Sequence, residues 1–290
     1  MKKHLNTLYI TSDDAYLSKE RETFVVEVNH KKAFQALSLE SGIRKAIKQQ
    51  EFTLHYQPEV RTNSGRPTAV EALIRWIHPE LGLLGPDQFI SVAEHRGLII
   101  AIGRWVINEA LRQAREWADI GMVIPIAINL SAIQFKQKDL VEDIEARMKE
   151  HGIAGEMIEL ELTESLFLED VNATAKTLGR LKDLGVTLSV DDFGTGYSSL
   201  SYLKRYPIDK VKIDRSFVRD IPQDDDDVAI TVAIINLAAS LNLKVVAEGV
   251  ETREQAQFLA EHQCDFLQGY HIARPLSAAD ALVWLKQHMT

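Results

Sequence analysis

The sequence has only one cysteine, Cys264, among its 290 residues. A single thiol excludes a disulfide framework and a metal site built from several cysteines. This is the composition expected in a reducing cytosol. We therefore expect a cytoplasmic location, either of the whole protein or of the cytoplasmic part of a larger, membrane-attached one.

Long apolar runs are also missing. The longest, 97–103 and 123–133, fall short of the roughly 20 residues that a membrane-spanning helix needs. The first residues are basic but no apolar stretch follows them, so the sequence predicts no signal peptide.

The chain has no excess of positive charge. It carries 33 lysines and arginines against 42 aspartates and glutamates, a formal net charge of −9. A nucleic-acid polymer needs a basic surface, so this balance argues against one as a partner. A small anionic ligand held by a few local cations is still compatible with it.

From residue 52 onward, short segments typical of strands alternate with amphipathic segments typical of helices. The predicted strands are 52–60, 69–76, 124–131, 158–164, 187–192, 210–216, 244–249 and 266–273. The predicted helices are 101–119, 138–150, 170–184, 225–241 and 252–263, with a further helix at 39–50 leading into the first strand. This order indicates an α/β fold, a TIM-like (β/α)8 barrel.

One connection departs from that pattern. The first two strands are joined only by "RTNSGRPT", residues 61–68. A parallel crossover needs about a dozen residues or more, whereas a turn built on Asn-Ser-Gly needs very few. We therefore expect the first strand to run antiparallel to the second, which makes the barrel irregular.

Two segments outside this alternation have more than one interpretation. Residues 1–38 read either as a helix end followed by a lone strand or as a flexible tail, and we assign the barrel to 39–290. The acidic stretch 223–230 resembles an interaction motif, but aspartates in a first turn complement the helix dipole. We interpret it as a helix cap.

Polar side chains stand near the predicted C-terminal end of almost every strand, where barrels of this type build their active sites. They are Glu71, Arg75, Asn129, Glu159, Glu161, Glu164, Asp191, Asp192, Lys212, Asp214, Glu248, Glu251 and Gln268. Each alone has an ordinary explanation, such as an exposed strand residue or a turn cap. Together they would share one mouth. Strand alternation puts Glu159 and Glu161 on the same face; Glu161 is nearer the strand end and is the better ligand candidate, whereas we expect Glu159 to be a deeper structural residue.

Several carboxylates in one mouth would raise one another's pKa values or need cations to neutralise them, and no cluster of arginines accompanies them in these segments. Carboxylates with one amide favour Mg²⁺ or Mn²⁺ over zinc. His78, His95 and His271 lack the spacing of metal ligands. The adjacent Asp191 and Asp192 could reach two ions about 3.5–4 Å apart, as in two-metal phosphoryl sites.

Seven segments resemble, in order, the signatures of the EAL domain family. They are "VEALIRW", "INLS", "ELTES", "DDFGTGYSSL", "KIDRSFV", "VVAEGVET" and "LQGY", within a match from about 39 to 288. The family comprises cyclic di-GMP-specific phosphodiesterases with an irregular (β/α)8 barrel. The resemblance implies hydrolysis of cyclic di-GMP to linear 5′-pGpG, which lowers the level of this second messenger in bacterial signalling.

The resemblance also implies roles for particular residues. The ligands of two Mg²⁺ or Mn²⁺ ions per active site would be Glu71, Asn129, Glu161, Asp191, Asp192 and Glu248. Lys212 would orient or help deprotonate the attacking water, Glu248 could also accept a proton, and Glu164 would anchor the loop 192–200. The substrate would contact Gln57, Arg75, Asp214, Gln268 and Pro275.

The same resemblance implies a homodimer formed through loop 192–200 and its adjoining helix. Residues 1–38 resemble the end of a GGDEF-type domain, so an upstream sensory or GGDEF-type domain in a longer chain is expected. The metal ligands and the glycine loop are all present, which favours an active enzyme. Departures from the family pattern, at Gln263 and in "HIARP" at 271–275, affect the expected guanine pocket.

Three other functions deserve comparison. A receptor that binds cyclic di-GMP without cleaving it would share the fold and the pocket. A barrel enzyme that removes a proton next to a carboxylate could use Lys212 as its base, but it has no use for the amide and the glycine loop. The "DFG" at 192–194 is a kinase motif, yet the chain lacks a glycine-rich phosphate loop and a catalytic H-R-D.

Overall fold

The computed structural model of the protein describes residues 39–168, 170–195 and 201–289. The predictions about residues 1–38 lie outside this part of the chain, as does the second half of the loop 192–200.

The described strands form one ten-stranded sheet. In chain order they are β1 (Phe52–Arg61), β2 (Pro67–His78), β3 (Gly82–Leu84), β4 (Ile126–Leu130), β5 (Ile158–Thr163), β6 (Thr187–Phe193), β7 (Lys210–Ile213), β8 (Lys244–Ala247), β9 (Phe266–Gln268) and β10 (Leu276–Ser277). The sheet closes into an eight-stranded barrel because β1 pairs with both β2 and β9. The short β3 and β10 add to β2 and β1 outside the closed ring.

The direction of the first strand is as predicted. β1 runs antiparallel to β2 along its whole length and antiparallel to β9 on its other side. The pairs from β2 through β4 to β9 are parallel. A tight turn at 62–66 leaves no room for a crossover helix between β1 and β2, so the irregular (β/α)8 barrel is confirmed.

Helices surround the barrel. In chain order they are α1 (39–49), α2 (Ile90–His95), α3 (Ile99–Asp119), α4 (Ala132–Phe135), α5 (Leu140–His151), α6 (Val171–Asp183), α7 (Ser201–Arg205), α8 (Arg215–Val218), α9 (Asp225–Ser240), α10 (Arg253–Glu261) and α11 (Ala278–His288). The predicted helices agree with these bounds to within two residues. Within the described ranges, no helix has the length and apolar character to span a membrane.

The acidic stretch caps a helix, as predicted. Asp224 immediately precedes α9, which begins at Asp225, and its side chain accepts hydrogen bonds from the backbone N–H groups of Asp226 and Asp227. These bonds satisfy donors that have no partner inside the helix.

Two predicted strands extend three or more residues beyond their observed ends. The strand predicted at 210–216 ends at Ile213 because the Asp214 carboxylate caps α8 by accepting from the backbone N–H of Ser216. The strand predicted at 266–273 ends at Gln268, where the chain turns and Ile272 N–H donates to the carbonyl of Gly269. The short strands β3 and β10 and the helices α2, α4, α7, α8 and α11 were not predicted.

The apolar core lies between the barrel and the helices, whereas the barrel interior is polar. In β5 the apolar Ile158, Leu160 and Leu162 are buried, and the alternating Glu159 and Glu161 are equally buried on the opposite face. Since successive side chains of a strand face opposite ways, these glutamates point into the barrel. The fold therefore places charged groups in a buried interior.

Candidate active site

Lys212 on β7 is the centre of an acidic cluster in the upper barrel interior. Its Nζ lies 2.7 Å from Glu161 Oε1 and 2.6 Å from Glu248 Oε1. The same atom is 3.4 Å from Asp191 Oδ1 and 3.8 Å from Glu71 Oε2. Lys212 is 1% exposed, so four carboxylates surround one buried ammonium. No cluster of arginines accompanies these carboxylates in the neighbouring sequence segments, and Lys212 is the cation that contacts all four of them.

Glu71 on β2 is held by amides on both of its oxygens. Asn129 Nδ2 on β4 donates to Glu71 Oε1 at 2.6 Å, and Gln268 Nε2 on β9 donates to Oε2 at 2.6 Å. Burial acts to raise the pKa of Glu71, but Lys212 and these two amides hold the pKa below its ordinary value. Glu71 is therefore ionised at neutral pH.

The paired aspartates are brought to one side by an irregularity in β6. Adjacent residues of a regular strand face opposite ways, which would separate Asp191 from Asp192. Here the pairing of β6 with β7 shifts register between Val190 and Phe193, and Asp192 has φ 53°. A bulge re-aims a side chain in this way. As a result, carboxylate oxygens of Asp191, Asp192 and Glu248 all lie within 4.8 Å of one another.

The cluster holds more negative charge than Lys212 can balance. Burial raises the pKa of Glu161 well above its ordinary value and that of Glu248 to about 8, although Lys212 opposes both shifts. Burial, with Asp191 and Asp214 beside it, raises the pKa of Asp192 to about 6. Without further cations, these groups retain protons that ordinary carboxylic acids lose.

The residues fit divalent cations. Glu161 Oε2 is buried and has no hydrogen-bond partner among the described residues, although a buried carboxylate oxygen normally has one. The donors around it are carboxylates and one amide, the oxygen ligands that Mg²⁺ and Mn²⁺ prefer. Coordination of a cation would satisfy this oxygen and supply the missing positive charge.

Lys212 is a cation rather than a base in this environment. Burial alone would lower its pKa, but Asp191, Glu161, Glu248 and Glu71 raise the pKa well above the ordinary value. A lysine of this kind donates hydrogen bonds and stays charged at neutral pH.

Three of the five residues predicted to contact substrate adjoin the acidic cluster. Gln57 on β1 is paired with Glu71 in the sheet and donates to the carbonyl of Ala273 at 3.1 Å. Gln268 Nε2 lies 3.4 Å from Gln57 Oε1. The Asp214 carboxyl hydrogen-bonds to that of Asp192.

The other two predicted substrate residues lie further out. Arg75 is half-buried, four residues beyond Glu71 along β2, and donates to its neighbour's carbonyl at Ile74. Pro275 is half-buried immediately before β10. Neither contacts the acidic cluster directly in the described contacts.

Glu164 contacts the loop after the paired aspartates. Its Oε2 accepts a hydrogen bond from the backbone N–H of Gly194 at 3.2 Å, and Glu164 is buried. Gly194 has φ 100°, and a Cβ there would meet a Phe217 ring carbon at 2.9 Å. Glycine is thus required at the point where Glu164 holds the loop. Glu251, also singled out in the sequence, is exposed on the outside of the cluster.

Sequence reasoning missed Glu59 on β1, a buried carboxylate inside the barrel. Its Oε2 lies 3.0 Å from Lys210 Nζ, and Glu159 Oε2 lies 2.7 Å from the same atom. Period-2 alternation from Gln57 could have placed Glu59 on the interior face, since both lie on β1 two residues apart.

Comparison with known proteins finds one family whose description covers most of the chain, the EAL domain, matching residues 40–275. Bifunctional diguanylate cyclase/cyclic di-GMP phosphodiesterase MucR of Pseudomonas aeruginosa is 46% identical over 251 residues, covering 86% of this chain and 37% of MucR. Cyclic di-GMP phosphodiesterase PdeR of Escherichia coli is 38% identical over 266 residues, covering 92% of this chain and 40% of PdeR. The chain thus spans about two fifths of the length of these relatives.

Solved structures show the same architecture. The structure described as "PaMucR Phosphodiesterase, c-di-GMP complex" superposes with a TM-score of 0.82 at 46% identity, covering 84% of this chain and 99% of that one. An EAL domain protein from Listeria monocytogenes superposes with a TM-score of 0.74 at 33% identity, covering 83% and 95% of the two chains.

Proposed function

Since the chain belongs to the EAL domain family, we propose that it is a metal-dependent phosphodiesterase that hydrolyses cyclic di-GMP to linear 5′-pGpG. The observation that carries this proposal is the cluster of four carboxylates around Lys212, which adjoins the carboxyl of Asp192 and the amide of Asn129. The names of the relatives and the cyclic di-GMP complex of a 46% identical domain support the choice of substrate.

Two divalent cations would be shared among the strand ends. The first would be held by Glu71, Asn129, Glu161 and Asp191, and the second by Asp191 and Asp192 with Glu248 beside it. Mg²⁺ and Mn²⁺ both suit this donor set. When bound, such ions activate water and neutralise charge on the phosphate.

The protein's own groups have separate tasks in this proposal. Lys212 remains protonated, so it orients the attacking water and opposes the charge that develops on the phosphate oxygens. Glu248 contacts Lys212 and lies beside Asp191 and Asp192, so once cations displace its own proton it is suited to receive the proton that the water loses. This division assigns Lys212 the orienting role and leaves proton acceptance to Glu248.

The substrate residues surround this centre. The guanidinium of Arg75 can grip a phosphate with paired N–H donors. Gln57, Asp214, Gln268 and Pro275 would contact the phosphates and guanines from neighbouring strand ends.

A chromatographic assay tests the proposed function. The full chain is incubated with cyclic di-GMP and Mg²⁺ or Mn²⁺, beside Glu71→Ala and the control Glu251→Ala, which removes an exposed glutamate outside the cluster. We expect linear product from the parent and the control and none from Glu71→Ala. Tight binding of cyclic di-GMP without product, with either metal, would contradict the proposal and indicate a binding module.

Removing the Glu164 side chain is expected to weaken the binding of the metal ions rather than to stop turnover outright. Glu164→Ala leaves the Gly194 N–H without its acceptor and loosens the segment that carries Asp192. Loss of such an outer contact typically costs about 10–100-fold in metal affinity or activity. We therefore expect the half-saturating Mn²⁺ concentration to rise about tenfold or more.

Glu164→Gln is the matched variant for this prediction, because its amide oxygen can still accept from Gly194. Its half-saturating Mn²⁺ concentration should lie closer to that of the parent. Identical Mn²⁺ titrations for Glu164→Ala and the parent would refute the anchoring role.

Several expectations from the resemblance remain proposals. A homodimer would show as a concentration-dependent sedimentation coefficient, and a monomer at all concentrations would count against it. An upstream sensory or GGDEF-type domain is supported by the share of the relatives that the chain covers. The cytoplasmic location and the choice between Mg²⁺ and Mn²⁺ likewise stay predictions.

A further inference from the structure

A second group of buried charges lies below the acidic cluster in the barrel interior. Lys210 Nζ contacts both oxygens of Glu59, at 3.0 and 3.2 Å, and Glu159 Oε2 at 2.7 Å. We call Glu59, Glu159 and Lys210 the deep ion cluster. Glu59 is 5% exposed and Glu159 is 3% exposed.

The deep ion cluster carries less uncompensated negative charge than the acidic cluster around Lys212. It has one ammonium for two carboxylates, whereas Lys212 is surrounded by four. Thr68 Oγ1 also donates to Glu59 Oε1 at 2.8 Å, and Lys210 Nζ lies 5.0 Å from the centre of the Phe266 ring. These contacts satisfy the group internally, so it is not itself a metal site.

Each member of the deep ion cluster lies two residues from a residue of the candidate active site. Glu59 is two residues from Gln57 on β1, Glu159 two from Glu161 on β5, and Lys210 two from Lys212 on β7. Because residues i and i+2 of a strand face the same side, each pair shares one strand and one face. If a residue of the deep ion cluster moves with its strand, the active-site residue on the same strand therefore moves with it.

The deep ion cluster also joins strands that are not neighbours. β6 lies between β5 and β7, while β8 and β9 lie between β7 and β1. Backbone hydrogen bonds link only adjacent strands. Without the deep ion cluster, β1, β5 and β7 would be held relative to one another only through the strands that lie between them. Ser189 of β6, which is fully buried and small, is the sheet partner of Lys210 on the path between β5 and β7.

We propose that the deep ion cluster positions the candidate active site: by tying β1, β5 and β7 across the barrel, it holds Glu161 where this carboxylate can bind a divalent cation, with Lys212 beside it. Glu59, Glu159 and Lys210 are positioning residues and do not touch metal or substrate. The catalytic consequence rests on the proposed function, but the consequence for metal affinity can be measured separately.

The test uses the full chain carrying Glu59→Gln, Glu159→Gln and Lys210→Met together. All three charges are removed by side chains of similar volume, so no buried charge loses its partner and the fold should be retained. Mn²⁺ binding is measured by isothermal titration calorimetry, with thermal unfolding alongside. We expect the Kd for Mn²⁺ to rise about tenfold or more, as for loss of an outer support of a metal site.

The matched control is Lys244→Met with Asp265→Asn. Lys244 Nζ lies 2.7 Å from Asp265 Oδ1. The pair is at the same end of the barrel as the deep ion cluster, because Lys244 is the sheet partner of Lys210. The residues two positions further along, Val246 and Leu267, do not belong to the candidate site. The control should therefore bind Mn²⁺ with the parent's Kd.

A folded triple variant with the parent's Kd for Mn²⁺ would overturn the proposal, whatever its melting temperature. If the triple variant does not fold, Glu159→Gln alone serves, because it keeps the contact between Lys210 and Glu59; an unchanged Kd there overturns the proposal too. Failure of the parent to cleave cyclic di-GMP, with weakened Mn²⁺ binding in the variant, would remove the proposed function and leave this inference standing.

Discussion

Lys212→Met is expected to remove measurable turnover and to destabilise the metal-free protein strongly. Lys212 is the only cation in contact with the four carboxylates of Glu71, Glu161, Asp191 and Glu248 in the described site. Breaking a buried ion pair from one side typically costs about 3–5 kcal/mol, since the remaining charge has no partner. Loss of one preorganised electrostatic group at a reaction centre costs about 100–1,000-fold in rate.

The stability part of this prediction has a distinctive metal dependence. Divalent cations supply the charge that the variant lacks, so Mn²⁺ should raise the unfolding temperature of Lys212→Met more than that of the parent. Lys244→Met serves as the control, because its ion pair with Asp265 lies on an exposed part of the barrel end. Equal Mn²⁺-induced shifts in the variant and the parent would contradict the account of the cluster.

The metal-free protein is expected to lose stability as the pH rises from about 5 to about 8. Burial raises the pKa of Glu161 well above its ordinary value, that of Asp192 to about 6 and that of Glu248 to about 8. In this range the folded protein holds protons that the unfolded chain has released. Stability falls with pH wherever the folded state binds more protons than the unfolded chain.

The other shifted groups do not reverse this trend. The lowered pKa of Glu71 contributes stability that is present above the pKa of the unfolded chain and is lost only as the solution becomes more acidic. The raised pKa of Lys212 contributes stability that is fully present throughout this range and is lost only at alkaline pH. His55 opposes the trend in this range, because burial lowers its pKa and its contribution to stability rises with pH. The carboxyls with raised pKa values outnumber this one imidazole and set the sign of the net slope.

Bound metal should abolish this loss, because cations displace the retained protons and their affinity rises with pH. The measurement is the unfolding temperature from pH 5 to 8 in EDTA and in saturating Mn²⁺. We expect the two curves to diverge as the pH rises, and Glu248→Gln to flatten the EDTA curve. Parallel curves in the two conditions would show that these carboxyls do not titrate as described.

Much of the fold follows from local pattern. The short turn after Arg61 determines that β1 and β2 are antiparallel, and this can be deduced without any structure. The strand ends were less predictable, because the Asp214 cap that ends β7 depends on a side-chain hydrogen bond to Ser216. A pattern of apolar residues does not contain that information.

The site could be predicted as a set of residues but not as an arrangement. Period-2 alternation places Glu161 on the strand face opposite to Leu160 and Leu162. The same alternation, however, predicts that the side chains of Asp191 and Asp192 point to opposite faces. Only the register shift in β6 brings their carboxylates together. The contact between Glu59 and Lys210 was equally hidden, because it joins strands that are not adjacent in the sheet.

Anomalous diffraction at the manganese edge, from crystals grown with Mn²⁺, tests the two-metal site most directly. The account predicts two peaks about 3.5–4 Å apart, the spacing of two-metal sites. One should lie among Glu71, Asn129 and Glu161, and the other at Asp192, with Asp191 between them. A single peak, or none among these side chains, would contradict it.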